Sequence, residues 1–246
     1  AEEYLFPQED TIITITQGGY IKRINPAAYK IQQRGCKGIM GLKTVSDDIV
    51  QHFLYAETHD SLMVFTDSGK VFRTPVYEIP EGTRVAKGRG LLNFLEMNAQ
   101  DKALSIFALG KKDADIGIKY LVMITKDGII KKTSLDDFKN VRKSGLIAMT
   151  LKKGDRLIGV RKTTGDDEII LTTTKGQAVR FREKEIRSMG RTAAGIHGMR
   201  LKKGDEVVGV NVVGERDSKK AEGGPPAGGK SKDDTQYVLV LTENGY

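Results

Sequence analysis

Leu151–Val160 reads LKKGDRLIGV, and Leu201–Val210 reads LKKGDEVVGV. The same ten-residue phrase returns almost verbatim after 50 residues. Self-similarity at a fixed period marks an array of repeated structural units. Around the phrase, each period carries a short β-branched apolar run and then a turn ending in glycine. The runs are Thr11–Thr16 (TIITIT), Ser61–Thr66 (SLMVFT), Tyr120–Thr125 (YLVMIT), Glu168–Thr173 (EIILTT) and Tyr237–Thr242 (YVLVLT). Their turns end at Gly19, Gly69, Gly128, Gly176 and Gly245. A second apolar or basic run follows every turn but the last. Strand, glycine turn and strand together are a β-hairpin signature. Val45–Ala56 has its apolar residues clustered as FLYA, which predicts a strand and not a helix.

A second landmark trails each hairpin: RGCKGI at Gly38, KGRGLL at Gly90, KSGLIA at Gly145 and TAAGIH at Gly195. The pattern predicts an all-β array of about four strands per unit, a propeller-like or solenoid architecture in which each unit buries its face on its neighbours. Four units are complete, with blades at about 10–59, 60–115, 116–165 and 166–214. Residues 235–246 start a fifth. Between them lies Glu215–Asp234, a polar, Gly/Pro-rich stretch that is neutral and reads as a flexible insert. The whole is expected to be one domain, 1–246.

Composition narrows the function. The chain has 246 residues, 39% of them apolar, with 28 glycines, 6 prolines and no tryptophan. Its single cysteine, Cys36, excludes an intramolecular disulfide framework and a cysteine-based zinc site. No signal peptide is visible at the N-terminus, and no apolar run approaches the ~18 residues of a membrane span. The net charge is +8, which favours a polyanionic partner. Because the insert is neutral, that charge belongs to the blades.

Catalytic motifs fail on context. Gly224–Ser231 (GPPAGGKS) matches the phosphate-loop spacing G-x-x-x-x-G-K-S. A real phosphate loop leads into a helix N-terminus, whereas this one leads into a strand, and two prolines remove amides the cradle needs. His52, His59 and His197 have no metal-ligand spacing. Cys36 has no base near it in sequence. The pairs Asp47-Asp48, Asp136-Asp137 and Asp166-Asp167 sit at expected turns and read as turn formers and caps. No cofactor and no metal are expected.

The cations carry more information. Four residues past the turn glycines stand Arg23, Arg73, Lys132 and Arg180, with Lys22, Lys70, Lys131 and Arg182 beside them. A cation recurring at one position of a radial array predicts a belt round its rim. A duplex with one phosphate charge per ~1.7 Å of axis would follow such a belt. A second set occupies the trailing landmark: Arg34 and Lys37; Arg84, Lys87 and Arg89; Arg142 and Lys143; Arg187 and Arg191. Glycines beside them let backbone amides join the side chains at a phosphate. No aromatics are interleaved, which argues against single-strand stacking platforms. The expected contact is with the duplex backbone, tolerant of sequence and sensitive to salt.

Residues Gln32-Gln33-Arg34-Gly35-Cys36-Lys37-Gly38 resemble the Gln-Arg-Arg-Gly-Gly-Lys-Gly box of the gyrase A C-terminal domain family. AETHDSLMVFTDSGKVFR, VYEIPEGTRVAKGRGLLNFL, DEIILTTTKGQAVRF and IRSMGRTAAGIHGMRL agree with that family in order, from about Asp10 to Tyr246. The resemblance implies a β-pinwheel, a disc of four-stranded blades that exchange strands with their neighbours. It implies duplex DNA wrapped on a basic rim, anchored by the box, so that the DNA gyrase holoenzyme introduces negative supercoils. Gln33 departs from the box by losing an arginine charge, and Cys36 by adding a side chain where the family has glycine. The family disc usually has six blades, so the resemblance implies truncation within the fifth. It also puts the catalytic tyrosine, metal site and ATPase on other parts of the enzyme, so this piece is not expected to be an enzyme by itself. The implied partners are double-stranded DNA, the rest of gyrase A and gyrase B, in the cytoplasm on the nucleoid. Two alternatives stay open. One is the domain of the same fold in topoisomerase IV, which steers substrate choice. The other is a protein-interaction β-propeller, disfavoured by the absence of tryptophan.

Overall fold

The computed structural model describes residues 5–28 and 48–214. Fifteen strands of this part of the chain fall into four antiparallel sheets. They are β1 (Asp10–Thr16), β2 (Tyr20–Ile24), β3 (Val50–Glu57), β4 (Ser61–Thr66), β5 (Lys70–Pro75), β6 (Arg89–Gly90), β7 (Ala103–Leu109), β8 (Tyr120–Thr125), β9 (Ile129–Ser134), β10 (Leu146–Ile147), β11 (Leu157–Thr163), β12 (Glu168–Thr173), β13 (Ala178–Arg182), β14 (Ile196–His197) and β15 (Val207–Val213). Two short α-helices accompany them, α1 (Leu91–Phe94) and α2 (Lys111–Asp115). Val50–Glu57 is a strand, as its clustered apolar residues predict.

The sheets run β3-β1-β2-β6, β10-β5-β4-β7, β11-β8-β9-β14 and β13-β12-β15. In each four-stranded sheet one edge is a two-residue strand from the following repeat: β6 on β2, β10 on β5, β14 on β9. The exchange is fastened at the hairpin turns. The carbonyl of Gly19 accepts from Leu91, that of Gly69 from Ala148 and Met149, and that of Gly128 from Gly198 and Met199.

Why the hairpin strands are apolar throughout is explained by the packing. Leu62 and Val64 face a core shared with Ile13, Ile15 and Ile21 of the first sheet. Met63 and Phe65, on the opposite face, join Leu121 and Met123 of the third sheet. Val122 and Ile124 then meet Ile169 and Leu171 of the fourth. Side chains alternate faces along a strand, so a sheet covered on both sides needs an unbroken apolar run. At the opposite edges of the sheets, β3 lies against β7, β7 against β11, and β11 against β15. These are the inner edges. The exchanged strands β6, β10 and β14 therefore form the perimeter.

The near-verbatim phrase has a mechanical explanation. Leu151 and Leu201 lie under the turn glycines Gly69 and Gly128 of the preceding sheets. The aspartates within it, Asp155 and Asp205, accept from the turn amides of Asp127 and Lys175, at 3.1 and 3.0 Å. Asp48 does the same for Gly18, at 2.8 Å.

Candidate nucleic-acid interface

The in-phase cations do not form an exposed belt, which corrects the expectation for that set. Lys22, Lys131 and Lys132 are buried, and Arg23 and Arg73 are half-buried. In the first three sheets, the cation four residues past the turn glycine instead grips the next repeat just after its hairpin. Arg23 Nε donates to the Ile79 carbonyl at 2.9 Å, and its Nη2 pairs with Glu81 at 3.0 Å. Arg73 donates to the carbonyls of Phe138 and Lys139, at 3.3 and 2.9 Å. Lys132 donates to the Glu183 carbonyl at 3.1 Å. Burial lowers the pKa of the Arg73 guanidinium. Arg180, in the fourth sheet, turns back to Glu168 of its own hairpin. The periodicity is real, but these side chains hold the repeats together. One-letter periodicity cannot distinguish a cation aimed at a neighbour's carbonyl from one aimed at solvent.

The neighbouring cations diverge. Lys70 pairs with Asp101 at 3.1 Å. Arg182 is exposed. Lys22 and Lys131 point inward, and burial lowers the pKa of both ammonium groups, that of Lys131 to about 8.

The trailing loops behave differently. Lys87, Arg89, Arg142 and Arg187 are exposed; Arg84, Lys143 and Arg191 are half-buried. The loops run into β6, β10 and β14, so the three groups occupy equivalent places on three successive perimeter edges. Aromatic rings lie under some of these cations. Lys87 Nζ stands 4.3 Å from the Tyr20 ring, and Lys143 Nζ and the Arg89 guanidinium stand 4.5 and 5.7 Å from Phe94. Phe94 is buried, so it steers the cations from below and offers no stacking face. Lys143 also pairs with Glu78, and Arg191 Nη1 donates to the Ile147 carbonyl at 3.3 Å. The box Gln32, Gln33, Arg34, Gly35, Cys36, Lys37 and Gly38 lies outside the described residues, as do the phosphate-loop look-alike and the insert.

One cationic group escapes a reading of the sequence alone. Lys152, Lys153, Arg156, Arg200, Lys202 and Lys203 are exposed at the hairpin-turn ends of the third and fourth sheets. None forms a salt bridge with a described residue. The signal is present in the repeated phrase, where two lysines stand beside a Gly-Asp turn. No described helix is long and apolar enough to cross a membrane.

Sheets that lend their outermost strand backwards, with cations on the lent edge, define the class: a β-pinwheel. The family model for the DNA gyrase C-terminal domain, described as a beta-propeller, matches residues 10–56, 60–96, 119–164 and 167–214. The chain belongs to that family. It is 38% identical to gyrase A of Staphylococcus epidermidis over 245 residues, which is 100% of this chain and 25% of that protein. Against gyrase A of Clostridium acetobutylicum it is 43% identical over 196 residues, 80% of this chain and 23% of the relative. The chain thus spans about a quarter of the length of these relatives. A solved DNA gyrase A C-terminal domain superposes with a TM-score of 0.61 at 27% identity, covering 83% of this chain and 65% of that one. The C-terminal domain of a DNA topoisomerase IV superposes at 0.71 with 29% identity, covering 86% and 63%.

Proposed function

We propose that the chain is the DNA-wrapping module of a bacterial DNA gyrase, a type IIA topoisomerase, and that it carries no catalytic step. The single observation that carries the reading is the perimeter itself. Lys87 with Arg89, Arg142 with Lys143, and Arg187 with Arg191 recur on three successive outer edges. Cations at equivalent places on a curved edge suit a duplex laid along it, held by its phosphates and indifferent to base sequence. The box at Gln32–Gly38 anchors the wrap in this reading, with Arg34 and Lys37 as its cations. The expected start of a fifth repeat, 235–246, lies outside the described residues. Strand cleavage and ATP hydrolysis belong to the rest of gyrase A and to gyrase B, the module's partners in the cytoplasm.

The test has two parts. Duplex affinity of the chain should fall ~10³–10⁵-fold between 50 and 200 mM salt, as expected for about 6–10 phosphate contacts. Affinity flat across that range overturns the reading. Nicked circular DNA ligated with the protein bound should then show a positive linking-number shift. Binding without any shift favours the topoisomerase IV alternative, whose solved domain also superposes well.

A further inference from the structure

Lys131 is completely buried in the middle of β9, and no carboxylate pairs with its ammonium among the described residues. Its Nζ donates instead to three backbone carbonyls, those of Ala148, Gly190 (3.2 Å) and Arg191. Lys22 repeats the arrangement in β2, donating to the carbonyls of Thr83 (2.9 Å), Arg84 (2.8 Å) and Ala86 (2.6 Å). An ammonium has three protons, and each one is used. In both cases the perimeter loop of the next repeat turns carbonyl oxygens inward onto the buried charge.

A trans peptide is planar, so an inward C=O sends the N–H of the following residue outward. Behind Arg84 and Ala86 these are the amides of Val85 and Lys87. Behind Gly190 and Arg191 they are the amides of Arg191 and Thr192. None of these four donates to a described residue. Outward amides close together beside a cation make an anion site; Arg191 and Thr192 are successive, whereas Val85 and Lys87 flank Ala86, whose amide donates to the Thr83 carbonyl. Lys87 and Arg191 supply the cation from the same loops. We propose that each buried lysine builds a phosphodiester-binding site on the far side of its loop, made of main-chain N–H groups and aligned by an ammonium that never touches the ligand. Lys22 and Lys131 are positioning residues. The ligand is a backbone phosphate of the duplex, so the inference rests on the duplex-binding reading.

The second sheet provides an internal control. Phe72 holds the equivalent place in β5 and packs against Gly145. Its side chain donates nothing. The Arg142 carbonyl in that loop accepts instead from the amides of Arg73 and Gly145. The second loop is held by packing, and no buried ammonium turns its peptides.

Amide NMR spectra of the whole chain, recorded at 50 mM salt while a 20-base-pair duplex is added, test the proposal. In the unaltered protein the Val85, Lys87, Arg191 and Thr192 amide protons should move downfield. In Lys131→Met those of Arg191 and Thr192 should stop responding while those of Val85 and Lys87 still move. Duplex affinity should fall on the order of tenfold at this salt, the counterion release of about one phosphate contact, and the salt slope should drop by about 0.9. A duplex that binds the unaltered protein without moving these amides overturns the proposal and leaves the duplex reading standing. So does a Lys131→Met protein whose Arg191 and Thr192 amides respond as before. A duplex that does not bind at all ends both. Should Lys131→Met not fold, Lys22→Met makes the reciprocal test, and the measurement on the unaltered protein needs no variant.

Discussion

The third and fourth sheets contain the most similar stretches of the chain, yet they are buried very differently. The two copies of the repeated phrase lead into their inner strands, β11 and β15. In the third sheet β8 is buried from its second residue onward and β9 up to its last, whereas β12 and β13 alternate strictly between more and less exposed residues. The third sheet receives β14 from the next repeat; no described strand pairs with the outer edge of β13. Lys132 grips the next repeat at Glu183, while Arg180 folds back on Glu168. The difference lies in the neighbour and not in the local sequence. A repeat buries one face through its own strands and the other only through the next repeat, as a nearest-neighbour array requires.

The strongest way to break this comparison is to cut an aromatic side chain in each environment. Phe65 is fully buried between the second and third sheets, against Phe107 at 5.6 Å and Phe138 at 6.0 Å. Phe65→Ala should cost about 3–5 kcal/mol, the range for a buried aromatic. Phe181, half-buried in β13, should cost about 1 kcal/mol on truncation, since its site opens to solvent. Denaturant midpoints at constant slope measure both. Equal losses would show that the fourth sheet is as fully packed as the third.

A finer comparison uses two glycines with the same backbone. Gly145 and Gly176 both have φ +74°, a left-handed conformation that strains any other residue. A Cβ on Gly145 would stand 2.5 Å from the Phe72 ring, whereas one on Gly176 would meet nothing within 4 Å. Gly176→Ala should therefore cost only the backbone strain, about 1 kcal/mol. Gly145→Ala adds overpacking and should cost about 3 kcal/mol. The difference between the two, read from denaturant midpoints, isolates the packing of an incoming repeat on a sheet that has received it.

These sites also mark how far the sequence could be read. The hairpins, their period and the all-β class were legible because apolar runs and turn glycines are local signals. Strand exchange was not readable from pattern: Arg89–Gly90, Leu146–Ile147 and Ile196–His197 are two-residue strands whose partners lie in another repeat, and it entered only through the family resemblance. The cations misled in a particular way. Lys22, Arg23, Arg73, Lys131 and Lys132 recur because each repeat must hold the next. That requirement has the same period as a binding surface. Lys87, Arg142 and Arg187 are exposed because the carbonyls of their loops are drawn inward or the loops are packed, a distinction only coordinates make.

Replacing the inter-repeat cations should give a smaller effect with the same contrast. Glu183 is fully buried and accepts from Thr163 at 2.7 Å and from the amides of Gly165 and Asp167, with Lys132 Nζ 3.9 Å from its carboxylate. Lys132→Met leaves that carboxylate without its counter-charge and removes one of two donors from the Glu183 carbonyl, which keeps the Ile186 amide. The expected loss is about 1–3 kcal/mol. Arg180→Met removes an exposed pair and should stay within about 0.5 kcal/mol. Thermal unfolding of both variants checks the contrast.

A pH dependence also separates the third sheet from the fourth. Burial lowers the Lys131 pKa from 10.5 to about 8; Asp137 partly opposes the shift and Arg191 adds to it. Below pH 8 both the folded and the unfolded chain carry this proton, so the group leaves stability independent of pH. Between about 8 and 10.5 the unfolded chain still binds it and the folded chain does not. The unfolded state then binds more protons, and stability rises with pH across that window. Lys131→Met should remove this rise, and the fourth sheet has no counterpart to it, because Val179 holds the equivalent place there. Unfolding free energies measured across that window for the two proteins give the difference directly. A rise of the same size in Lys131→Met would assign it to other groups and leave the buried ammonium without a measurable desolvation cost.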